Sequence, residues 1–157
     1  AGVGQHPRIV GQHEQNLQLG NAQFVGSNYG LAALYDLSLL SAMYGMLGGY
    51  FHAVSLVAMS GKITAVELTP VVSNWLQAMI GALPHFSQQI DAKDYTLGGV
   101  MSSVNTNVVA IANIIDATKY EGLAADFILP WKSLLNETVE KGNGTSDLSA
   151  IADALKK

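Results

Sequence analysis

From Gly30 to Met59 the chain reads GLAALYDLSLLSAMYGMLGGYFHAVSLVAM, and Asp36 is the only formal charge in it. The residues are apolar or small on nearly every face, a pattern that predicts a helix buried all round rather than along one stripe. Thirty residues of helix rise about 45 Å, longer than a compact domain of this chain's 157 residues accommodates. Such a helix is expected to need a second chain alongside it. Gly45, Gly48 and Gly49 each cost about 1 kcal/mol of helix propensity relative to Ala, and close approach of another helix is the expected compensation. By length the stretch also fits a membrane span, which needs about 20 apolar residues, and Ser41, Gly45 and Gly49 form a ladder of small residues. Against a span stand His52 near its middle, the absence of a Lys/Arg asymmetry at its flanks, and the amphipathic segments that follow.

Those segments read as helix after helix. Thr64-Ala-Val-Glu67 is a capping box opening a helix through Trp75 towards Leu83. Leu83 to about Ala92 continues as a helix with Phe86 and Ile90 on one face. Gly98-Gly99 breaks the chain, and Ser102 or Ser103 caps a helix carrying Val104, Val108, Ile111 and Ile115 at helical spacing. Asp126 is a candidate start for the next, which carries Ile128, Trp131, Leu134, Leu135 and Val139 and stops at Gly142. Thr145 or Ser146 is expected to cap a last short helix with Leu148, Ile151 and Leu155. Residues 1–28 differ: they are rich in Gly, Gln, His and Asn, and Asn21–Gly26 is expected as one short strand. The fold class is all-α.

Composition narrows the partners. Charged residues make up 13% of the chain, against roughly 25% in an ordinary soluble domain, so apolar surface is in excess. The net charge is −4 and the eight Lys and Arg are scattered, which excludes the basic footprint of a nucleic-acid binder. The absence of cysteine excludes disulfides and thiolate metal sites. No apolar targeting segment opens the chain, and a cytoplasmic location is expected.

GLAALYDLSLLSAMYGML (30–47) closely resembles the interdomain helix of imine reductases and reductive aminases, NADPH-dependent enzymes related to the 3-hydroxyisobutyrate dehydrogenases. The resemblance continues in order through FHAVSLV (51–57), NWLQAM (74–79), QQIDAKDY (88–95), NIIDA (113–117), Leu129-Pro130 and GNGTSDLSAI (142–151). It implies a long helix leading into a bundle similar to the C-terminal domain of 6-phosphogluconate dehydrogenase, exchanged between two chains in an intertwined homodimer. It implies a substrate site for a small imine, or an amine and a carbonyl compound, with Asp36 as proton donor or amine anchor and Tyr44, Trp75 and Asn107 lining it. Imine reduction places a hydride on carbon and a proton on nitrogen, and a carboxyl group in an apolar cleft serves as the acid or holds an iminium by charge. Without the resemblance, Tyr44 and Trp75 read as core aromatics.

The match has departures. Asn107 stands where some relatives carry glutamine, and Asn143 where many have histidine. His52 matches a common family histidine without an evident role. The hydroxyacid dehydrogenases use a lysine on the long helix, but the first lysine here is Lys62. The family's Rossmann domain is expected to be missing: Gly2-Val-Gly4 lacks the third glycine of the dinucleotide fingerprint and has no strand before it. Residues 1–28 are then the remnant of that domain and a linker, and residues 29–157 a helical dimerisation and substrate domain. That domain has no cofactor-binding or metal residues of its own and is inactive alone. The alternative is a stand-alone, non-catalytic helical dimerisation module.

Overall fold

The computed structural model describes residues 29–156, so the strand expected at Asn21–Gly26 lies outside the described residues. Among these residues six α-helices follow one another: α1 (Tyr29–Ala58), α2 (Ala65–Ile80), α3 (Leu83–Ala92), α4 (Val104–Tyr120), α5 (Leu129–Thr138) and α6 (Ile151–Ala154). A π-helical turn (Val139–Asn143) and a 3₁₀ turn (Leu148–Ala150) join the last two. Among the described residues the only extended pairing is an isolated antiparallel bridge between Ser103 and Asp147. The all-α expectation holds. The chain divides into two units, Ala1–Tyr44 and Gly45–Lys157, and the boundary falls within α1.

In the first unit, the described part of α1 is apolar and mostly exposed. Leu34, Leu37 and Leu39 are 60%, 62% and 70% exposed. By length and composition, Gly30–Ala58 is apolar enough to cross a membrane.

The second unit carries the packing. Its core joins Tyr95, Val104, Leu135, Ala150 and Ile151, with Val108, Ile111, Leu134 and Leu148 against them, and a second cluster of Ile115, Ala125 and Ile128 adjoins at Ile111. The second half of α1 is tied down by three contacts. Tyr50 bonds Thr69 of α2 at 2.9 Å; the Thr69 hydroxyl donates to Ala65 O, so Tyr50 is the donor. His52 Nε2 lies 3.1 Å from Thr118 Oγ1, whose hydrogen goes to Ile114 O, so His52 donates. The Phe127 ring fills the notch at Gly48, where an added Cβ would stand 2.4 Å from Cε2. At Gly48 the close approach is made by a ring from the loop before α5, and among the described residues nothing lies within 4 Å of a Cβ at Gly45.

Local signals account for most helix ends. The Thr64–Glu67 capping box forms in both directions, and Ser103 caps α4 by accepting from Thr106 N. Three ends differ from expectation. No side chain caps α5: the helix begins after Ile128 with Pro130 in its first turn, where a missing N–H costs nothing, and Asp126 lies two residues upstream. Gly142, at φ 87°, sits inside the π turn rather than directly after α5. The last cap is Asp147, not Thr145 or Ser146. On α3 the buried residue is Gln89, while Ile90 is 37% exposed.

Candidate functional site

The expected site residues fall in both units. Asp36 and Tyr44 project from α1 in the first unit; both are exposed, and neither side chain makes a hydrogen bond or ion pair among the described residues. Eight residues of helix separate them by about 12 Å along the axis and about 80° around it. They therefore lie on neighbouring faces of one rod. In the second unit Trp75 is 65% exposed on α2, so it is not the core aromatic that its residue type alone would suggest. Asn107 is half-buried in the second turn of α4.

Asn107 is oriented from its nitrogen side. Nδ2 donates to Ser102 Oγ at 2.8 Å, Ser103 O at 2.9 Å and Ser102 O at 3.3 Å. Its carbonyl oxygen has no partner among the described residues. Asn107 also borders a cavity of about 210 Å³ formed with Ile111, Ile128, Trp131, Leu135 and Leu148. Trp75 is not part of that lining.

Beneath this end of α4 lies a polar hub that the sequence reading missed. The fully buried carboxylate of Asp147 accepts from Met101 N (2.9 Å), Ser102 N (3.1 Å) and Leu148 N (2.9 Å). His85 Nε2 stands 3.2 Å from Oδ2 and Gln89 Nε2 3.4 Å from it. Gln89, also fully buried, donates to Leu97 O and Gly99 O and accepts from Ser149 Oγ. His85 Nε2 faces two acceptors, Asp147 Oδ2 and Gly99 O, so it carries a hydrogen; its 3.0 Å approach to the Gln89 nitrogen is then a contact between two donors. The Gly98-Gly99 turn, with φ of 74° and 97°, brings the Leu97 and Gly99 carbonyls onto these donors. The available signal was an Asp directly before an apolar run, which is itself an N-cap type, and a Gln on the inward face of α3.

Burial acts to raise the Asp147 carboxyl. The N–H groups of Met101, Ser102 and Leu148 and the His85 ring outweigh it and hold the group below its ordinary 3.8. A carboxyl lowered by folding adds stability above its unfolded value and loses it as the pH falls through the folded value. The melting temperature is therefore expected to drop from about pH 4 downward. Thermal melts between pH 6 and 2.5 check this: the drop should be shallower in Asp147→Asn, and equal slopes would remove the hub as its cause. Nearby, burial and then a hydrogen bond donated to Asp153 push the Tyr95 hydroxyl up to about 12.

The hub also bears on cofactor binding. A glycine turn followed by a helix N-terminus is where a phosphate docks on free N–H groups. Here the Met101 and Ser102 N–H groups between Gly99 and α4 are already given to Asp147. With no strand before it among the described residues, the turn does not form a dinucleotide cradle. Among them there is likewise no cluster of metal-ligating side chains.

A family model described as the C-terminal domain of NADPH-dependent reductive aminase-like proteins matches residues 28–157. The chain is 39% identical over 141 residues to an NADPH-dependent reductive aminase of Aspergillus oryzae, covering 88% of this chain and 47% of that protein. A reductive aminase from Aspergillus terreus, solved in complex with NADPH4, cyclohexanone and allyl amine, superposes with a TM-score of 0.86 at 35% identity, over 92% of this chain and 50% of that one. An imine reductase from Pseudomonas sp. shares the fold at a TM-score of 0.80 and 20% identity, over 96% of this chain and 52% of the other. The chain thus spans about half the length of these relatives. With the match running from the first turn of α1 to the end of the bundle, the chain belongs to the family of NADPH-dependent reductive aminase-like C-terminal domains.

Proposed function

We propose that this chain is the substrate-binding and dimerisation half of an NADPH-dependent imine reductase or reductive aminase, which reduces C=N bonds to amines. The observation that carries the reading is the family match over the whole helical region, which includes a carboxylate, Asp36, alone on an apolar helix. A satisfied structural carboxylate has partners, as Asp147 does; Asp36 has none among the described residues and remains available to a substrate nitrogen. In this reading Asp36 donates the proton to that nitrogen or anchors the amine by charge, and Tyr44, Trp75 and Asn107 line the substrate. The hydride belongs to NADPH. The described glycine turn forms no dinucleotide cradle, and in this reading the cofactor is held by a Rossmann domain outside the described residues, so that the helical unit alone turns over nothing.

A chimera tests this. The chain is joined to the half of the Aspergillus terreus reductive aminase that it does not cover, and NADPH oxidation is followed with a cyclic imine. Turnover by the chimera and none by the chain alone is the expected result. A well-folded chimera that binds NADPH yet leaves the imine unreduced would favour the non-catalytic module.

Assembly follows from the same helix. An apolar rod exposed on most of its faces is a patch that soluble monomers rarely carry. The homodimer is the proposed cover, with an apolar interface above roughly 2,000 Å² in total. Sedimentation at low micromolar concentration is expected to give twice the chain mass. A monomer that binds no hydrophobic dye would contradict the dimer, and solubility only in detergent would point to the bilayer instead.

A further inference from the structure

A second cavity, of about 340 Å³, lies between the latter part of α1 and the loop before α5. Gly48, Phe51, His52 and Ser55 of α1 line it together with Ala124 and Phe127 of the loop. None of Asp36, Tyr44, Trp75 and Asn107 is in this lining, and all of it falls within the second unit. Two phenyl rings and an imidazole make its walls; the His52 and Phe127 ring centroids are 6.1 Å apart. Gly48 keeps the Phe127 wall in place, because a side chain there would displace that ring. The polar side chains in the lining are His52 and Ser55.

One nitrogen of His52 is already committed. The Thr118 hydroxyl gives its hydrogen to Ile114 O, so His52 Nε2 carries the hydrogen that bridges to Thr118. In the neutral ring Nδ1 is then a lone-pair acceptor. It has no partner among the described residues, and none of their buried side-chain N or O atoms lacks one, so Nδ1 reaches accessible space. The Ser55 hydroxyl is exposed and likewise has no partner among the described residues. Three residues apart on one helix, the two side chains have Cβ atoms about 5–6 Å apart, close enough to serve one ligand atom. An acceptor beside a hydroxyl suits a group that donates and accepts at the same oxygen. A phenol does both: its hydrogen goes to Nδ1 and its oxygen accepts from Ser55. A carboxylate or an ether brings no hydrogen and sets its lone pairs against that of Nδ1. An aromatic ring also packs against Phe51 and Phe127 with a preference beyond its buried area, which a saturated alcohol forgoes.

We infer that this cavity binds a neutral phenolic ring, its hydroxyl donating to His52 Nδ1 and accepting from Ser55, and its ring held between Phe51 and Phe127. The site shares no residue with those assigned to the imine, and it gives His52 a part to play beyond its bond to Thr118. It requires neither NADPH nor turnover.

Titration of the complete 157-residue chain with phenol and, separately, with anisole tests this. The chain carries ¹⁵N-histidine and is held at pH 8; the signal lost in His52→Phe identifies His52 among the four histidines. Affinities are read from the broadening of the probe's own ring signals. Phenol is expected to saturate with a Kd on the order of 1 mM and to move the His52 Nδ1 resonance upfield, as a nitrogen accepting a hydrogen bond does. Anisole, which keeps the ring and the oxygen but has no donor, is expected to bind about fivefold more weakly and without that upfield shift. His52→Phe should erase the preference for phenol. Ala124 is exposed, so Ala124→Trp fills the cavity from its rim and should abolish saturation. Circular dichroism confirms that each variant is helical, and Ala124→Leu takes its place if it is not. Absence of saturation up to about 20 mM, equal affinity for the two probes, an unmoved Nδ1 signal or binding that survives filling would each overturn the site. A second copy of the chain covering this face would also appear as absence of saturation and would overturn it equally. None of these outcomes touches the role of Asp36, which is read from turnover.

Discussion

Asp36→Ala lowers imine reduction by the chimeric enzyme by about 10²–10⁴-fold, the range for loss of a positioned acid, while its affinity for NADPH stays within about twofold. The two readouts separate because the described residues make no cradle for the cofactor, whereas Asp36 stands alone on the helix assigned to the substrate. Asp36→Asn keeps the shape and can still donate a hydrogen bond, but it releases no proton and carries no charge. If Asp36 acts as acid or counter-charge, the amide is nearly as damaged as the alanine. If the residue only fills space, the amide is silent. Steady-state NADPH oxidation at saturating imine, with cofactor binding measured by fluorescence, gives both numbers. Turnover within about threefold of the parent in both variants would remove Asp36 from the catalytic machinery.

Asp147→Ala destabilises the helical unit by about 3–5 kcal/mol, the cost of breaking a buried charged network by removing one member. The carboxylate accepts from three backbone N–H groups and has His85 and Gln89 against it. Alanine leaves the Met101 and Ser102 N–H groups facing an apolar methyl, while Leu148 N keeps Ser102 O, and each orphaned buried donor costs about 1–3 kcal/mol. Domains of this kind have about 5–15 kcal/mol to lose, so the variant sits near unfolding at room temperature. Urea denaturation followed by circular dichroism measures the change. A loss below about 1 kcal/mol would mean that water or a rearranged loop satisfies those N–H groups. Ser149→Ala, which removes only the hydroxyl bonded to Gln89, provides a milder comparison and is expected to lose about 1 kcal/mol.

Most of the fold was legible because the signals involved are local. The capping box at Thr64–Glu67, the Ser103 cap, the proline in the first turn of α5 and the spacing of Val104, Val108, Ile111 and Ile115 act within a turn or two of the backbone. Helix class and approximate boundaries follow from them. The candidate residues Asp36, Tyr44, Trp75 and Asn107 came from an ordered resemblance along the chain rather than from spacing, and they await the turnover and binding measurements.

The errors share a cause. The inward face of α3 reads as Phe86 and Ile90, yet the buried residue is Gln89, because its amide reaches carbonyls at Leu97 and Gly99 and a hydroxyl at Ser149, sixty residues along the chain. A buried amide is stable only when such partners exist, and no local pattern reports partners that distant. The same holds for Asp147. Its residue type permits a cap, but only the return of the chain beneath Met101 and Ser102 makes it the acceptor for two loops and takes up the N–H groups of Met101 and Ser102 after the glycine turn. Gly48 shows the converse: its cost in helix propensity is visible in sequence, and the Phe127 ring that occupies the space is not. By itself, the sequence determined the helical class, the helix ends set by capping chemistry and the family, since each depends on neighbours in the chain or on residue order. The tertiary structure decided which polar residues are buried, which side chains border the cavity beside Asn107 and which backbone groups are already spent, since burial and hydrogen bonding depend on what arrives from elsewhere.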